Sequence, residues 1–505
     1  MCEMRFKIFK ILLPLLLLQI MLLFTFLFST NPTVVAEDET LVLEWEQHWP
    51  TYMVGGTCNF GTHNFFVGDV DNDGVVELIT GGMTYDGDYQ ETKEIEAPFG
   101  IWNWDDQNFT LEVYHTWRGI LRTIYAADID GNGKQEIITG GHVVNATDRY
   151  DSIRIWSWDN QALRLISSLE GISASSIHTG DIDDDGISEI FTSGTVTRND
   201  TAFARLCILR WDKERLYLEK SVEWCTEEGA SARSVNVCDL DNNGELEVIT
   251  GGSDYGLTNS SGQLRIWQWN EEELLLKANE EWRLVENSYG VTVTGDPMGN
   301  TLVENVKTGD VDGDGITEII TGGFAYDGQK MNAQLRIWNW NGLNLTLEKS
   351  HEWFINDITE IKAVALDDVN GDGNTEILTS GGAAVYGGFE ADSEPEAAFV
   401  TIHNWDGSNL ALKNEENWVI GEGVFAWNVA TGDVDSDGTT EIVTVGCMYI
   451  NQLCDPDLRI WSLQTASISS TFLTYLIIAL ASISVSVSAI IYLFVRKNRN
   501  KILSK

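Results

Sequence analysis

The chain has 505 residues, with 77 Asp plus Glu against 32 Lys plus Arg and a formal net charge of −45. That imbalance excludes a bare nucleic-acid surface, whose affinity comes from basic side chains neutralising phosphates. The length admits one large repeat array or more than one ordinary domain.

Residues 1–36 read as a secretory signal: basic Arg5, Lys7 and Lys10, the apolar run "ILLPLLLLQIMLLFTFLF", then "VVA" before Glu37. The apolar run is long, so an uncleaved anchor is the alternative. Residues 37–465 are the predicted exported body and 466–471 a short linker. The segment 472–495, "FLTYLIIALASISVSVSAIIYLFV", is uncharged and long enough to span a bilayer as a helix. The basic tail 496–505, "RKNRNKILSK", is expected in the cytoplasm by the positive-inside bias. The expectation is a single-pass cell-membrane protein with its ectodomain outside. The body carries 76 acidic and 24 basic residues and five glycosylation sequons, at Asn108, Asn145, Asn199, Asn259 and Asn344. Six cysteines remain once Cys2 leaves with the signal. Cys447 and Cys454 flank a short loop that a disulfide can close, Cys207 with Cys225 is a second candidate pair, and Cys238 fits simple burial in an apolar strand.

One unit recurs seven times through the body. "DVDNDGVVELITGG" at Asp69 returns at Asp128, Asp181, Asp239, Asp310, Asp368 and Asp433, at intervals of 53 to 71 residues. In the fifth unit, "VKTGDV" leads into the acidic loop and the β-branched "EIITGG" (Glu318–Gly323) reads as a second strand. "FAYDGQKMNA" reads as a loop, the alternating "QLRIWNW" (Gln334–Trp340) as a third strand, Asn341-Gly342 as a two-residue turn and "LNLTLEKSHEW" (Leu343–Trp353) as a fourth strand. Four antiparallel strands in about 60 residues make a propeller blade. Tryptophans recur late in the third strand (Trp102/Trp104, Trp156/Trp158, Trp211, Trp267/Trp269, Trp338/Trp340, Trp405, Trp461) and in the fourth (Trp117, Trp224, Trp282, Trp353, Trp418). They are expected to fill the space between blades, with sugar binding as the alternative. The seventh unit stops at "LRIWSLQ" without a fourth strand, and "LVLEWEQHW" (Leu41–Trp49) matches "LTLEKSHEW" (Leu345–Trp353), so the N-terminal strand is expected to complete it. The predicted fold is all-β: a seven-bladed β-propeller of four-stranded antiparallel blades plus one C-terminal transmembrane helix.

The loop pattern is D-x-[DN]-x-[DN]-G-x-x-E. Side-chain oxygens at positions 1, 3 and 5 can converge because the glycine at 6 turns the backbone sharply, and Glu at 9 closes the shell. Oxygen ligands at flexible spacing suit calcium. The candidate ligands are Asp69, Asp71, Asp73, Glu77; Asp128, Asp130, Asn132, Glu136; Asp181, Asp183, Asp185, Glu189; Asp239, Asp241, Asn243, Glu247; Asp310, Asp312, Asp314, Glu318; Asp368, Asn370, Asp372, Glu376; and Asp433, Asp435, Asp437, Glu441. An EF-hand needs Glu at position 12, but that place holds Thr80, Thr139, Thr192, Thr250, Thr321, Thr379 or Thr444. An ordinary Asp/Gly turn accounts for one such loop, not for seven in register. Up to seven structural Ca²⁺ would relieve the mutual repulsion of 25 carboxylates.

These loops resemble the calcium hairpins of FG-GAP/VCBS repeats, found in the propeller of integrin α subunits. The resemblance implies a seven-bladed propeller with a calcium site between the first two strands of each blade. "ITGG"-type ends stand where that family has Phe-Gly-Gly-Ala-Pro.

The end of the blades opposite the acidic loops gathers two further features: Tyr85, Tyr255, Tyr326, Tyr386 and Tyr449 just past the glycines, and His63, Arg122, Arg233 and Lys362 six places before first aspartates, with His178 three before Asp181. A ring of cations around a channel invites an anionic ligand, and tyrosines suit a sugar or a protein partner. Packing and local ion pairs are the alternative roles. The functional expectation is adhesion to, or recognition of, an extracellular protein or glycan. The competing readings are a surface polysaccharide lyase, since some propellers with similar loops are lyases, and a passive subunit of a surface assembly. No nucleophile–base motif is visible, and the seven histidines do not cluster. The long connections 83–99, 283–308 and 383–398 are candidate specificity loops.

Overall fold

The computed structural model of the chain describes residues 39–48, 65–85, 95–104, 108–145, 148–159, 162–226, 228–255, 260–270, 272–285, 301–384, 396–421, 423–450 and 453–465. The expected signal, linker, membrane helix and tail lie outside the described residues. Leu41–Leu463 forms one compact unit and carries the sheets. Every regular element among the described residues is a β-strand, and no helix among them is long and apolar enough to cross a membrane.

Strand pairing follows one antiparallel pattern. In the fifth repeat Thr301–Gly309, Glu318–Tyr326, Met331–Trp340 and Leu345–Trp353 pair in that order. Two independent four-stranded sheets repeat it: Ser176–Gly180, Glu189–Arg198, Thr201–Trp211, Leu216–Trp224; and Ala230–Cys238, Glu247–Asp254, Ser261–Trp269, Leu274–Trp282. A third draws on both ends of the body, with Glu39–His48 as the outer neighbour of Leu453–Thr465, beyond Glu441–Ile450 and Gly423–Gly432. Two eight-stranded sheets are each two such runs in series. In one, a single parallel contact of Met331 with Ile358 joins the fifth run to Ile358–Asp367, Glu376–Ala384, Ala397–Trp405 and Leu410–Trp418. In the other, the strand Phe109–Ala127 is shared: up to Arg118 it pairs with Ile95–Trp104, and from Gly119 onward with Glu136–Val144. Gly119 has φ +148°, and a Cβ there would lie 2.0 Å from the His142 carbonyl oxygen.

The expected turns change in detail. Asn341-Gly342 belongs to a four-residue loop in which Asn341 Oδ1 accepts from the Leu343 and Asn344 amides at 3.1 and 2.8 Å. The expected loop 324–333 shrinks to 327–330, because Asp327 Oδ1 caps the Gln329 and Lys330 amides, each at 2.8 Å. The Asp327 carboxylate closes its reversal with fewer residues than composition implies, whereas the Asn341 amide caps a longer one.

The glycines of "TGG" have a specific use. Bulges in the first strands fall at Arg122, Arg233, Glu304, Lys362 and Trp427. At each one the bulged strand presses onto the second strand. A Cβ on Gly252 would lie 2.0 Å from Ser231 O, and one on Gly323 2.0 Å from Leu302 O. Only glycine fits so close an approach, and the bulge re-aims the residue that carries it.

The cores lie between consecutive runs. Ile249, Leu264 and Ile266 pack on Val303, Val306, Ile319, Trp338 and Trp340. Val434, Val443, Leu458 and Ile460 of the last sheet pack on Phe65, Leu78, Trp102 and Phe109 of the first. Third-strand tryptophans anchor five of the runs: Trp102, Trp156, Trp267, Trp338 and Trp461 donate Nε1–H to Thr80, Thr139, Thr250, Thr321 and Thr444 at 2.9–3.1 Å. The threonine at loop position 12 therefore serves the core. Fourth-strand tryptophans reach the next run, as Trp224 Nε1 does to Gln263 Oε1 at 2.7 Å, with the Arg265 guanidinium 5.0 Å from its ring centre.

Cys447 is disulfide-bonded, whereas Cys207 and Cys225 are both free, which corrects the second expected pair. Cys207 is fully buried opposite Ser221, four residues short of the exposed Cys225. That is on the order of 13 Å of strand, too far for a disulfide. Cys238 is free and half-buried.

Candidate metal centres

Each acidic loop bridges the first and second strands of its run. In the first loop Asp69 Oδ2 accepts from the Gly74 amide at 2.9 Å and Asp69 Oδ1 from the Asp73 amide at 3.1 Å. Asp73 Oδ1 accepts from the Val75 amide at 2.9 Å, and Glu77 Oε2 reaches back to the Val70 amide at 2.8 Å. The fifth loop repeats the plan: Asp310 Oδ2 to Gly315 N at 2.9 Å, Asp314 Oδ1 to Ile316 N at 2.8 Å, Glu318 Oε2 to Val311 N at 3.1 Å. Gly74 and Gly315, at φ +91° and +86°, make the reversal. Asn132 and Asn243 replace Asp at position 5 and accept the same backbone bond, from Lys134 N and Glu245 N. Asn370, at position 3 of the sixth loop, accepts from Asp372 N at 2.9 Å.

Backbone bonds use part of each carboxylate and leave other oxygens turned to a common point. Asp69, Asp71, Asp73 and Glu77 bring one oxygen each within 4.8 Å of one another, as do Asp128, Asp130 and Glu136; Asp181, Asp183 and Glu189; Asp239, Asp241 and Glu247; and Asp310, Asp312 and Glu318. Several loop oxygens are buried without a hydrogen-bond partner: Asp71 Oδ2, Glu77 Oε1, Glu189 Oε1, Asp241 Oδ1 and Asp433 Oδ1. Burial is the main cause that pushes the Glu77 carboxyl up to about 8, and Asp71, Asp73 and Asp69 add to it. Burial likewise carries Glu136, Glu247, Glu318, Glu376 and Glu441 up to about 7. A crowd of buried carboxylates calls for a positive charge, and an all-oxygen donor set fits a hard cation. These clusters can hold metal ions.

The third loop has its own cation. Arg210 comes from the third strand of that run, and its Nη1 lies 2.8 Å from Asp185 Oδ2. Its Nη2 lies 3.0 Å from Glu189 Oε1 and also bonds Asp183 Oδ2, while Nε takes Glu219 Oε2 at 3.1 Å.

Along the first strands runs a cavity of about 480 Å³, lined by Tyr125, His178, Arg233, Asn236, Lys307 and Lys362, among others. The structure brings several of the expected face residues to it, but mostly not as free cations. Lys362 Nζ is paired with Glu360 and lies 3.4 Å from Glu304 Oε1. Arg233 Nη1 lies 4.0 Å from Glu304 Oε2, and that carboxylate, with a hydrogen bond to Tyr255, raises its pKa. Burial, with Lys307 nearby, holds His178 down to about 4, so it is neutral at pH 7. Arg122 is less compensated: burial lowers its pKa, Arg149 and Arg233 add repulsion, and Asp151 opposes them. Tyr326 is 9% exposed at the end of its strand and packs there. Tyr85 ends the short strand Thr84–Tyr85, and Tyr449 lies in Glu441–Ile450 opposite Cys454. His63 and Tyr386 lie outside the described residues. Sequence reasoning missed Glu304, although it occupies the same place, six before Asp310, as the basic residues do elsewhere. It also missed Arg210, the one basic residue just before the last tryptophan of a third strand.

The family model of the FG-GAP-like repeat matches residues 310–379, from the first aspartate of the fifth loop to the position-12 threonine of the sixth. No curated protein matches the chain. Among solved structures, the crystal structure of S. cerevisiae core factor at 3.2 Å resolution is similar over 90% of this chain and 67% of its own, at 9% identity and a TM-score of 0.40.

Proposed function

Starting from the FG-GAP-like repeat at residues 310–379, we propose that the body is a seven-bladed, calcium-stapled β-propeller displayed outside the cell and used to recognise a protein or glycan. The observation that carries this reading is the buried, unpartnered Glu77 Oε1 beside Asp71 Oδ2 in a loop whose other oxygens already hold the backbone. The residues that would hold the ions are the position 1, 3, 5 and 9 side chains. A bound ion would supply the charge those side chains share and tie the first strand to the second. The hydropathy of 472–495 supports a membrane anchor.

Bulges at Arg233 and Lys362, both of which line the cavity, support that end as the recognition face. A lyase has weaker support, because Lys362 already faces two glutamates and His178 is a neutral, half-buried ring.

The test is calorimetry of the purified protein with and without calcium. Extracellular calcium modules bind at roughly 10⁻⁴–10⁻³ M, and at ten times that constant each ion adds about 1.4 kcal/mol. EGTA is expected to lower Tm by roughly 10 °C when several sites empty together. A Tm indifferent to EGTA would sink the calcium reading, and a glycan array on the same protein tests recognition separately.

A further inference from the structure

Seven third strands carry one position that lies across from the loop glutamate. The pairing of Glu247 with Gln268 and of Glu318 with Asn339 defines it. In the third run Ile190 pairs with Leu209, which sets Arg210 opposite Glu189. The other runs hold Asn103, Ser157, Gln268, Asn339, Asn404 and Ser462, all neutral and all shorter in reach than arginine. Gln268 bonds Glu245 instead, and Asn404 donates to Glu376 Oε1 at 3.0 Å. In the third run a fixed positive charge from the protein pairs with the loop's carboxylates, whereas Lys213 Nζ meets the second loop at the Asp130 carbonyl oxygen, at 2.8 Å.

The guanidinium uses its donors on the oxygens an ion would need. Nη1 takes Asp185 Oδ2 at 2.8 Å, Nη2 takes Asp183 Oδ2, and Nη2 lies 3.0 Å from Glu189 Oε1 as an ion pair. Asp181 accepts from Asp185 N and Gly186 N at 3.0 and 2.7 Å, as Asp69 does from Asp73 N and Gly74 N, so the third loop keeps the common backbone plan. Glu219 closes the far side on Nε at 3.1 Å. The Arg210 side chain is 19% exposed, so water screens the group only in part. Calcium asks for six to eight oxygens at about 2.3–2.6 Å. Here the shared oxygens already coordinate a planar cation that does not lose its proton in proteins, and a divalent ion would have to displace it against charge repulsion.

We propose that the third acidic loop is stapled by Arg210 and takes no divalent cation, so that the chain binds one ion fewer than it has acidic loops. This rests on the reading that the remaining loops bind calcium. The motif is thus neutralised in two ways: by an ion from solution, and by a side chain that neither chelators nor low calcium can remove.

The experiment counts calcium per full-length chain by equilibrium dialysis at saturating calcium, for the wild type and for Arg210→Gln, the side chain of the neighbouring run. Six ions are expected in the wild type and seven in the variant. Seven in the wild type, or no gain on substitution in a variant that folds, overturns the proposal. No binding in either protein instead overturns the calcium reading and this count with it. Hydrogen exchange on the wild type alone decides the matter if the variant fails to fold. In EGTA, amides of loops such as 69–77 and 310–318 should exchange about tenfold faster or more, while those of Asp185 and Gly186 change little. Deprotection of the third loop together with the others overturns the proposal.

Discussion

The third and fifth runs share a backbone and a motif and differ in what stands behind it. In the fifth, Trp338 donates to Thr321 at 3.1 Å and lies 5.0 Å from Trp282, with the Arg336 guanidinium 4.6 Å from the Trp282 ring centre. In the third, Leu209, Cys207 and Arg210 stand where the fifth has Trp338, Arg336 and Asn339. Thr192 Oγ1 there has no indole donor, and Arg210 reaches the loop, whereas Arg336 of the fifth run stacks on Trp282. The difference teaches that an acidic loop is only half of a metal site. On the proposal above, the residue across the strand decides whether the loop needs an ion.

The largest effect should come from removing the ring that makes the runs differ. Trp338→Ala deletes a 3%-exposed indole, strands Thr321 and unseats the Arg336–Trp282 stack. A loss of about 4 kcal/mol in urea denaturation is expected. Leu209→Ala, at a fully buried site without such partners, should cost about 3 kcal/mol. Equal or reversed costs would show that the tryptophan network adds nothing beyond volume.

The sixth run offers a second contrast, because His403 replaces the tryptophan and is 2% exposed beside His351 and Trp353. Burial, with His351 adding to it, holds its pKa down to about 4, below the roughly 6.5 of an unfolded histidine. The folded state therefore keeps a neutral ring while the unfolded chain takes a proton. Full stability holds above pH 6.5, and about 3 kcal/mol is lost as pH falls from there towards 4. The stability gap between the wild type and His403→Gln should shrink over that window. A gap that stays constant with pH would show that His403 titrates in the folded protein as it does unfolded.

Much of this was legible from residue spacing. The loops, the β-branched second strands and the tryptophan ladder follow from local pattern, and the outer place of Glu39–His48 follows from its match to Leu345–Trp353. What spacing did not show are the contacts made between runs. The pairing of Lys362 with Glu304 joins residues 58 apart in sequence, so the expected ring of cations is partly self-neutralised. Free Cys207 and Cys225 were misjudged for a related reason: sequence nearness says nothing of position along a paired strand. The role of the position-12 threonine needed the indole seventeen or more residues later to be seen in place.

The smallest expected effect is also the sharpest, because it changes sign. Glu318 and Glu189 hold the same place, both at most 1% exposed, and both accept from the amide at loop position 2. Glutamine preserves that hydrogen bond and removes the charge. In calcium, Glu318→Gln should weaken one ion by about tenfold and cost about 1.4 kcal/mol. In EGTA the same change should be neutral or stabilising, since it relieves a buried carboxylate crowded by Asp312 and Asp314. Glu189→Gln removes a partner of Arg210 in either buffer, so its cost should not depend on calcium. Paired thermal melts in calcium and in EGTA read both variants. If Glu189→Gln followed calcium as Glu318→Gln does, the guanidinium would not be what holds the third loop, and the distinction between the two runs would fail.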